Sequence, residues 1–207
     1  ADRLLGFRMN GHDLMPDGYD TEDYCRVAAD LEAAGVDIIH VSAGTYRAME
    51  RRVTPMYLGE APFADYAAQI KQAVNIPVIV NGDICSIDDA AKALEQSGAD
   101  GLMIGRGAYG RPWLLGQVMH WWQTGEKRAD PPLNEQYAVV VEHFRRMLDH
   151  YTPEVGVKIA RKHLGWYVKG LYGSSEFRKT VNFIDDPAQV LGEIERFYEP
   201  FLVRTAA

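Results

Sequence analysis

The sequence has few cysteines and no long apolar runs, the features that mark disulfide-rich proteins and membrane proteins. Only two of its 207 residues are cysteine, Cys25 and Cys85, which excludes a disulfide-stapled fold. No apolar run approaches the roughly 20 residues that span a bilayer, and residues 1–6 lack the long apolar region of a signal peptide. We therefore expect a cytoplasmic protein without a membrane partner.

Basic charge is also scarce. The chain carries 22 Lys and Arg against 29 Asp and Glu, a net charge of −7 with a pI of about 5.4. This argues against a general nucleic-acid binder, whose domain pI usually exceeds about 9, but it does not exclude a local basic face. No cluster of His, Cys and carboxylates has metal-ligand spacing, so no metal site is predicted.

Patterns typical of strands and helices alternate over residues 1–122, and they predict about four βα units with parallel strands. A closed (β/α)8 barrel needs eight units. We therefore predict an α/β fold that corresponds to the C-terminal half of a TIM-type barrel. The predicted strands are residues 4–9, 36–41, 77–80 and 102–104, and the predicted helices are 21–34, 63–74, 87–96 and 113–122.

The composition changes at residues 123–133, which contain glycine, two prolines and several charges and are typical of a linker. Everything after the linker has helical periodicity, so residues 134–207 are predicted to form a small helical bundle. Its predicted helices cover residues 134–151, 157–171, a short segment near 176, and 187–203.

Two short glycine signatures lie about twenty residues apart, each at the end of a predicted strand. One is residues 81–84 (NGDI) and the other is residues 105–107 (GRG). A helix start follows each of them: Ser86 begins a capping-box-like sequence, and Pro112 is expected in a first helical turn. In TIM barrels the loops after the last two strands form a phosphate site. The paired signatures therefore predict a phosphate cradle.

Further polar residues lie at the predicted strand ends. Arg8 is interpreted either as a cation that faces a cofactor ring or as one partner of a rim salt bridge. His40 is either a site residue or a satisfied core histidine, and Cys85 is interpreted as a small filler residue. Residues 42–62 form a long loop for a βα connection. Its basic residues, which either meet phosphate or stay solvated, are Arg47, Arg51 and Arg52.

A basic stripe is predicted on one face of the helix at 157–171, with Gly165 on the same face. It either tracks the phosphates of a nucleic acid or is a solvated helix face. Its residues are Lys158, Arg161, Lys162 and Lys169.

Residues 76–207 resemble the bacterial tRNA-dihydrouridine synthases. The matching strings are residues 76–84 (IPVIVNGDI), 98–113 (GADGLMIGRGAYGRPW) and 156–167 (GVKIARKHLGWY). The third string is specific to the helical domain of that family. This resemblance implies an FMN-dependent reductase that uses NADPH and acts on the C5=C6 bond of a tRNA uridine.

Residues 4–75 instead resemble the old yellow enzyme group, which includes dienoyl-CoA reductases. The matching strings are residues 7–11 (FRMNG), 31–46 (LEAAGVDIIHVSAGTY) and 66–71 (YAAQIK). A dihydrouridine synthase is expected to have a lysine in the first of these strands and a His-Gly-Arg-Thr run in the second. This chain has Arg8 and a His-Val-Ser-Ala-Gly run there.

Both families are FMN-dependent TIM-barrel reductases, so both resemblances imply the same cofactor. Arg8 would face the pyrimidine edge of the flavin, and His40 would lie near the isoalloxazine ring. The residues implied for the ribityl chain and phosphate are Asn81, Gly82, Asp83, Gly105 and Arg106. The residues implied for RNA are Lys158, Arg161, Lys162 and His163. The proton donor of either family lies upstream of the first strand seen here, so we name no catalytic residue.

The sequence therefore favours a flavin reductase of the tRNA-dihydrouridine synthase type that is incomplete in this chain. Two alternatives stay open: an ene-reductase of the old yellow enzyme type, and an inactive module that binds phosphate or RNA. Half a barrel leaves two open sheet edges. We therefore also expect a second copy or a partner chain to complete the barrel.

Overall fold

A computed structural model of the chain describes residues 3–49 and 61–203, which separate into two compact units. The first unit contains the described residues up to 108 and also residues 114–127. The second unit contains residues 109–113 and the described residues from 128 onward. The division into a partial barrel, a linker and a helical domain stays a prediction, because the contacts between residues in the structure do not show which segments fold independently.

The first part of the chain alternates strands with helices, as the sequence pattern predicts. In the described residues these elements are β1 (Gly6–Asn10), α1 (Thr21–Ala33), β2 (Ile38–Ser42), α2 (Ala64–Ala73), β3 (Val78–Asn81), α3 (Ile87–Ser97), β4 (Gly101–Met103) and α4 (Trp113–Thr124). Their ends differ from the predicted ends by at most two residues. Two short 3-10 turns, Tyr46–Ala48 and Arg106–Ala108, are not predicted from the sequence.

The four strands of the described sheet pair in parallel in the order β1-β2-β3-β4. The register aligns Arg8 with His40 and His40 with Ile79, so these side chains project from the same face of the sheet. The opposite face packs against α1, α2 and α3 in one hydrophobic cluster. Its fully buried strand residues are Ile39, Val41, Val78 and Val80. The fold is α/β and is consistent with part of a TIM-type barrel.

The start of α3 fixes the turn that leaves β3. Ser86 Oγ accepts a hydrogen bond from the Asp89 N–H at 3.0 Å, as the capping sequence predicts. Asp89 Oδ2 accepts from the N–H of Cys85 at 2.9 Å rather than from that of Ser86, so the cap reaches one residue further back. Such a cap contributes about 1 kcal/mol. Pro112 precedes α4 instead of lying in its first turn.

In the described part of the second unit, all the regular secondary structure is helical. Its helices are α5 (Leu133–His150), α6 (Pro153–Tyr167), α7 (Ser174–Val181) and α8 (Pro187–Val203). They share a hydrophobic core whose largest fully buried side chains are Phe144, Leu164, Ile194 and Tyr198. Among the described residues no helix is both long enough and apolar enough to cross a bilayer.

Helix α6 lies four residues nearer the N-terminus than predicted at both of its ends. It starts at Pro153 because proline is favoured in a first turn, where its missing N–H has no helical partner. It ends at Tyr167, so Lys169 lies beyond it. The prediction that Lys169 shares a helix face with Lys158 is therefore wrong.

Candidate functional site

A cavity of about 220 Å³ lies where β3 and β4 end. Its walls come from the carboxyl ends of the strands and from the turns that follow β3 and β4. Six of the residues implied for the cofactor line it: Arg8, Asn81, Gly82, Asp83, Gly105 and Arg106. His40, the seventh, is the register neighbour of Arg8 on β2. The structure thus brings these residues together at one edge of the sheet.

The turn after β3 has an unusual backbone at two successive residues. Gly82 has a φ of +122°, and Asp83 has a φ of +48°, in the left-handed region that L side chains rarely adopt. A Cβ on Gly82 would also lie 3.0 Å from Cδ2 of Phe63, which lines the same cavity. A left-handed aspartate costs roughly 1–2 kcal/mol. Such strain persists where the surrounding structure fixes the backbone, and it is frequent at ligand sites.

The turn after β4 packs directly onto the turn after β3 through Gly107. A Cβ at this residue would lie 2.0 Å from the carbonyl oxygen of Ile84 and 3.0 Å from Cα of Cys85. Only glycine lets the two backbones approach so closely. Gly107 and Ile84 both line the cavity, so this backbone contact forms part of its wall.

Two buried polar atoms here have no hydrogen-bond partner within residues 3–49 and 61–203. They are Nε2 of His40 and Oδ1 of Asn81. Asn81 is only 8% exposed. Leaving a buried donor or acceptor unsatisfied costs about 1–3 kcal/mol, so native proteins seldom do so without a ligand or water. Oδ1 of Asn81, a residue that lines the cavity, therefore fits a hydrogen bond to a bound molecule.

The charge in the cavity comes from arginines. Burial is the main cause that lowers the pKa of His40, and the nearby charge of Arg8 lowers it further. The imidazole is therefore neutral at neutral pH. Arg8 Nη2 donates to Ser42 Oγ at 3.3 Å, and in the part of the chain that the structure describes no carboxylate forms a salt bridge with it. Among the described residues that line the cavity, the charged side chains are those of Arg8, Arg106 and Asp83.

Cys85 does not carry the chemistry of an activated thiol. Burial raises its pKa, and the carboxylates of Asp83 and Asp89 raise it further. The Sγ atom lies 3.8 Å from Asp83 Oδ1. The residue is therefore a protonated thiol at neutral pH. Because it is exposed, its interpretation as a small filler residue stays a prediction. Among the described residues no group of His, Cys, Asp or Glu is arranged to hold a metal ion.

The four residues implied for RNA lie on α6 but differ in their surroundings. Lys158 and Lys162 are exposed. Arg161 is occupied within the protein: its Nη2 donates to Asp185 Oδ1 at 2.6 Å and to the carbonyl of Ile184 at 3.0 Å. His163 is half-buried among aromatic rings. Only the two lysines present their charges to solvent.

Of the three arginines predicted in the long loop at residues 42–62, the structure describes one. Arg47 is exposed in the 3-10 turn Tyr46–Ala48. Arg51 and Arg52 lie outside the described residues. Sequence reasoning missed three further lining residues, Ser42, Phe63 and Met103, because their proximity depends on how the strands and helices pack.

A protein-family model described as Dihydrouridine synthase (Dus) matches residues 14–202. The similarity thus extends well upstream of residue 76 and includes most of the segment that resembles the old yellow enzyme group. It leaves out only residues at the two ends of the sequence.

Curated relatives carry the same description. The chain is 44% identical over 178 residues to a probable tRNA-dihydrouridine synthase of Rickettsia conorii, covering 86% of this chain and 51% of that protein. It is 41% identical over 179 residues to tRNA-dihydrouridine synthase B of Pseudomonas aeruginosa, covering 86% of this chain and 52% of that protein. The chain therefore spans about half the length of these relatives. A solved 2-naphthoyl-CoA reductase complex aligns with 55% of this chain and 17% of its own, at 23% identity and a TM-score of 0.47.

Proposed function

The chain belongs to the dihydrouridine synthase family, and from this premise we propose that it supplies the FMN-binding and RNA-binding part of a tRNA-dihydrouridine synthase. The reaction is reduction of the C5=C6 bond of a tRNA uridine with hydride that originates from NADPH. The observation that carries the proposal is the cavity at the ends of β3 and β4. It is lined by Arg8, Arg106 and Asn81, whose Oδ1 has no hydrogen-bond partner among the described residues. Because the substrate is tRNA, the proposed location is the cytoplasm.

The phosphate end of FMN would be held by the two turns. Gly82 and Asp83 form one wall, and Gly105 and Arg106 form the other. Glycine backbones let N–H groups approach a phosphate, and a guanidinium pairs with its oxygens through two parallel hydrogen bonds. The Gly107 contact keeps the two turns at a fixed separation, which suits a ligand of fixed size.

The ring end of FMN would be held by Arg8, His40 and Asn81. Arg8 supplies a positive charge that stabilises the electron-rich reduced ring, and Asn81 Oδ1 supplies an acceptor. His40 is neutral because its pKa is lowered, so its Nε2 either donates or accepts one hydrogen bond according to its tautomer. The bound flavin supplies the hydride for the C=C bond. We name no proton donor among these residues.

RNA would contact the second unit through Lys158 and Lys162, whose charges are exposed. Arg161 and His163 have a supporting role in this proposal, because their side chains already contact other parts of the protein. Two lysines on one helix face fit the repeated phosphates of an RNA strand.

The sheet also needs cover on the face that carries Arg8 and His40. It has four strands in the described residues, whereas a TIM barrel closes with eight. We include in the proposal that further strands, from a second copy or a partner chain, complete the barrel over this face. The mass of the chain in solution, measured with and without FMN, tests this part.

The experiment that tests the proposed cofactor site is an FMN titration of the purified chain, followed by quenching of flavin fluorescence. Arg106→Ala should raise the Kd by about tenfold or more, because it removes a charge-assisted hydrogen bond to phosphate. The matched control is Arg26→Ala, which removes an exposed arginine of α1 that does not line the cavity and whose ion pairs are at the surface. Equal affinity in the two variants would contradict the phosphate site.

Two assays separate the alternatives that the sequence left open. Reduction of an enone by the FMN-loaded chain without tRNA binding would favour an ene-reductase. RNA binding with no affinity for FMN would favour a binding module without a reductase site.

A further inference from the structure

Two aromatic rings of the second unit form a parallel stack that the function above does not use. Tyr109 and Trp166 have ring centroids 4.3 Å apart and planes inclined by only 13°. Trp166 is half-buried, whereas Tyr109 is 50% exposed. One face of the tyrosine ring is thus covered by protein, and much of the rest of the side chain is open to solvent.

The backbone next to Tyr109 holds this stack in place. Gly110 has a φ of +73°, and a Cβ there would lie 2.5 Å from the carbonyl carbon and oxygen of Trp166. No other residue fits this conformation and this contact together. The main chain next to Tyr109 is therefore packed against the end of α6, close to the backbone of Trp166.

Two histidines support the stack from the protein side. His163 contacts Trp166 edge-to-face, with centroids 5.0 Å apart at 85°, and His143 contacts His163 edge-to-face at 4.9 Å. His143 Nδ1 lies 3.0 Å from the hydroxyl of Tyr167. These ring contacts give His163 a structural role beneath the stack rather than a direct role at the surface.

Positive charge lies beside the stack on the same helix. Lys158, Lys162 and Trp166 are spaced by four residues on α6 and so form one row along its surface. Both lysines are exposed. An aromatic platform at the end of a row of cations is the arrangement by which proteins bind single-stranded nucleic acid, with a base on the ring and phosphates on the cations.

We propose that Tyr109 is a stacking platform for one unpaired nucleobase of the RNA substrate, while Lys162 and Lys158 contact phosphates of the same strand. This inference rests on the proposed function, because it takes RNA as the ligand. It adds a residue that the sequence did not single out, and it predicts a preference for unpaired over duplex RNA.

The test is equilibrium binding of a fluorescently labelled, unstructured RNA oligonucleotide to the full chain, measured by anisotropy over a range of salt concentrations. Tyr109→Ala should weaken binding by about 5- to 100-fold with an unchanged salt slope, because stacking releases no counterions. Tyr109→Phe keeps the ring and should bind like the parent. Lys162→Ala should reduce the salt slope by about 0.7–1.

The matched control is Tyr172→Ala, since Tyr172 is 93% exposed and makes no ring contact among the described residues. It should bind RNA like the parent chain. An oligonucleotide with abasic sites tests the stacked base directly. The parent chain should bind abasic RNA more weakly than intact RNA, whereas Tyr109→Ala should bind the two equally.

Three results would overturn the platform. They are parental affinity in Tyr109→Ala, equal binding of duplex and unpaired RNA, and equal binding of intact and abasic RNA by the parent. If the parent binds RNA but one of these results appears, only the platform fails. If the parent binds no RNA at any salt concentration, the RNA part of the proposed function fails with it.

Discussion

Replacement of Gly107 by alanine tests whether the contact between the two turns shapes the cavity. The added Cβ would lie 2.0 Å from the carbonyl oxygen of Ile84, whereas real Cβ atoms stay at least 3.0 Å from such neighbours. The turns after β3 and β4 must therefore separate by about 1.0 Å, which is 3.0 minus 2.0. Both partners are backbone, so no side chain can rotate to relieve the contact.

The expected cost of Gly107→Ala is that of overpacking a close contact, about 1–3 kcal/mol in the free energy of unfolding. For a chain of this length that lowers Tm by roughly 3–9 °C. FMN affinity should fall by about tenfold, because a shift of this size breaks at least one hydrogen bond to a ligand held by both turns. Thermal unfolding followed by circular dichroism and an FMN titration measure the two effects.

The control for this variant is Gly116→Ala on α4. A Cβ at Gly116 meets no atom within 4 Å, and alanine in a helix interior is more favourable than glycine by about 0.5–1 kcal/mol. Gly116→Ala should therefore raise Tm slightly and leave FMN affinity unchanged. If Gly107→Ala has the Tm and FMN affinity of the parent chain, the argument that this contact shapes the cavity is refuted.

Two more predictions concern Arg161 and the three histidines whose pKa is lowered. Arg161→Ala should lower the free energy of unfolding by about 1–2 kcal/mol, because it removes the hydrogen bonds to Asp185 and to the carbonyl of Ile184. The variant should leave the salt slope of RNA binding unchanged. A slope reduced by about 0.7 or more would show that Arg161 contacts RNA instead. Burial is the main cause that lowers the pKa of His40, His143 and His163 from 6.5, so the unfolded chain binds more protons than the folded chain below about pH 6.5. The free energy of unfolding, measured with urea, should therefore fall from about pH 7 to about pH 5.5. A constant free energy of unfolding over that window would contradict the lowered pKa values.

The alternation of strands and helices is readable from the sequence because its signals are local. Gly98 ends α3 with a φ of +60°, as a glycine at a helix end predicts. Ser86 caps the same helix through Asp89, three residues away. The start of α6 at Pro153 also has a local signal, a proline in a first turn, which the predicted start at residue 157 leaves out.

The candidate site was predictable only where its signature is a short motif. The Asn-Gly-Asp and Gly-Arg-Gly strings identify the turns after β3 and β4. Their mutual contact through Gly107 and Ile84 joins residues 23 positions apart, which no local pattern reveals. Arg161 and Asp185, and likewise Tyr109 and Trp166, are also far apart in the sequence, so no local pattern predicts that they are in contact. A basic stripe read from helical spacing therefore includes residues whose charges are already used within the protein.

The cavity between the two turns is proposed to bind the phosphate and ring of FMN. The most direct measurement is the visible absorption spectrum of the purified chain, taken with its mass in solution before and after addition of FMN. We predict flavin bands that approach one flavin per chain, with weaker retention in Arg106→Ala. A colourless chain that also fails to bind added FMN, whatever its mass, would contradict the claim.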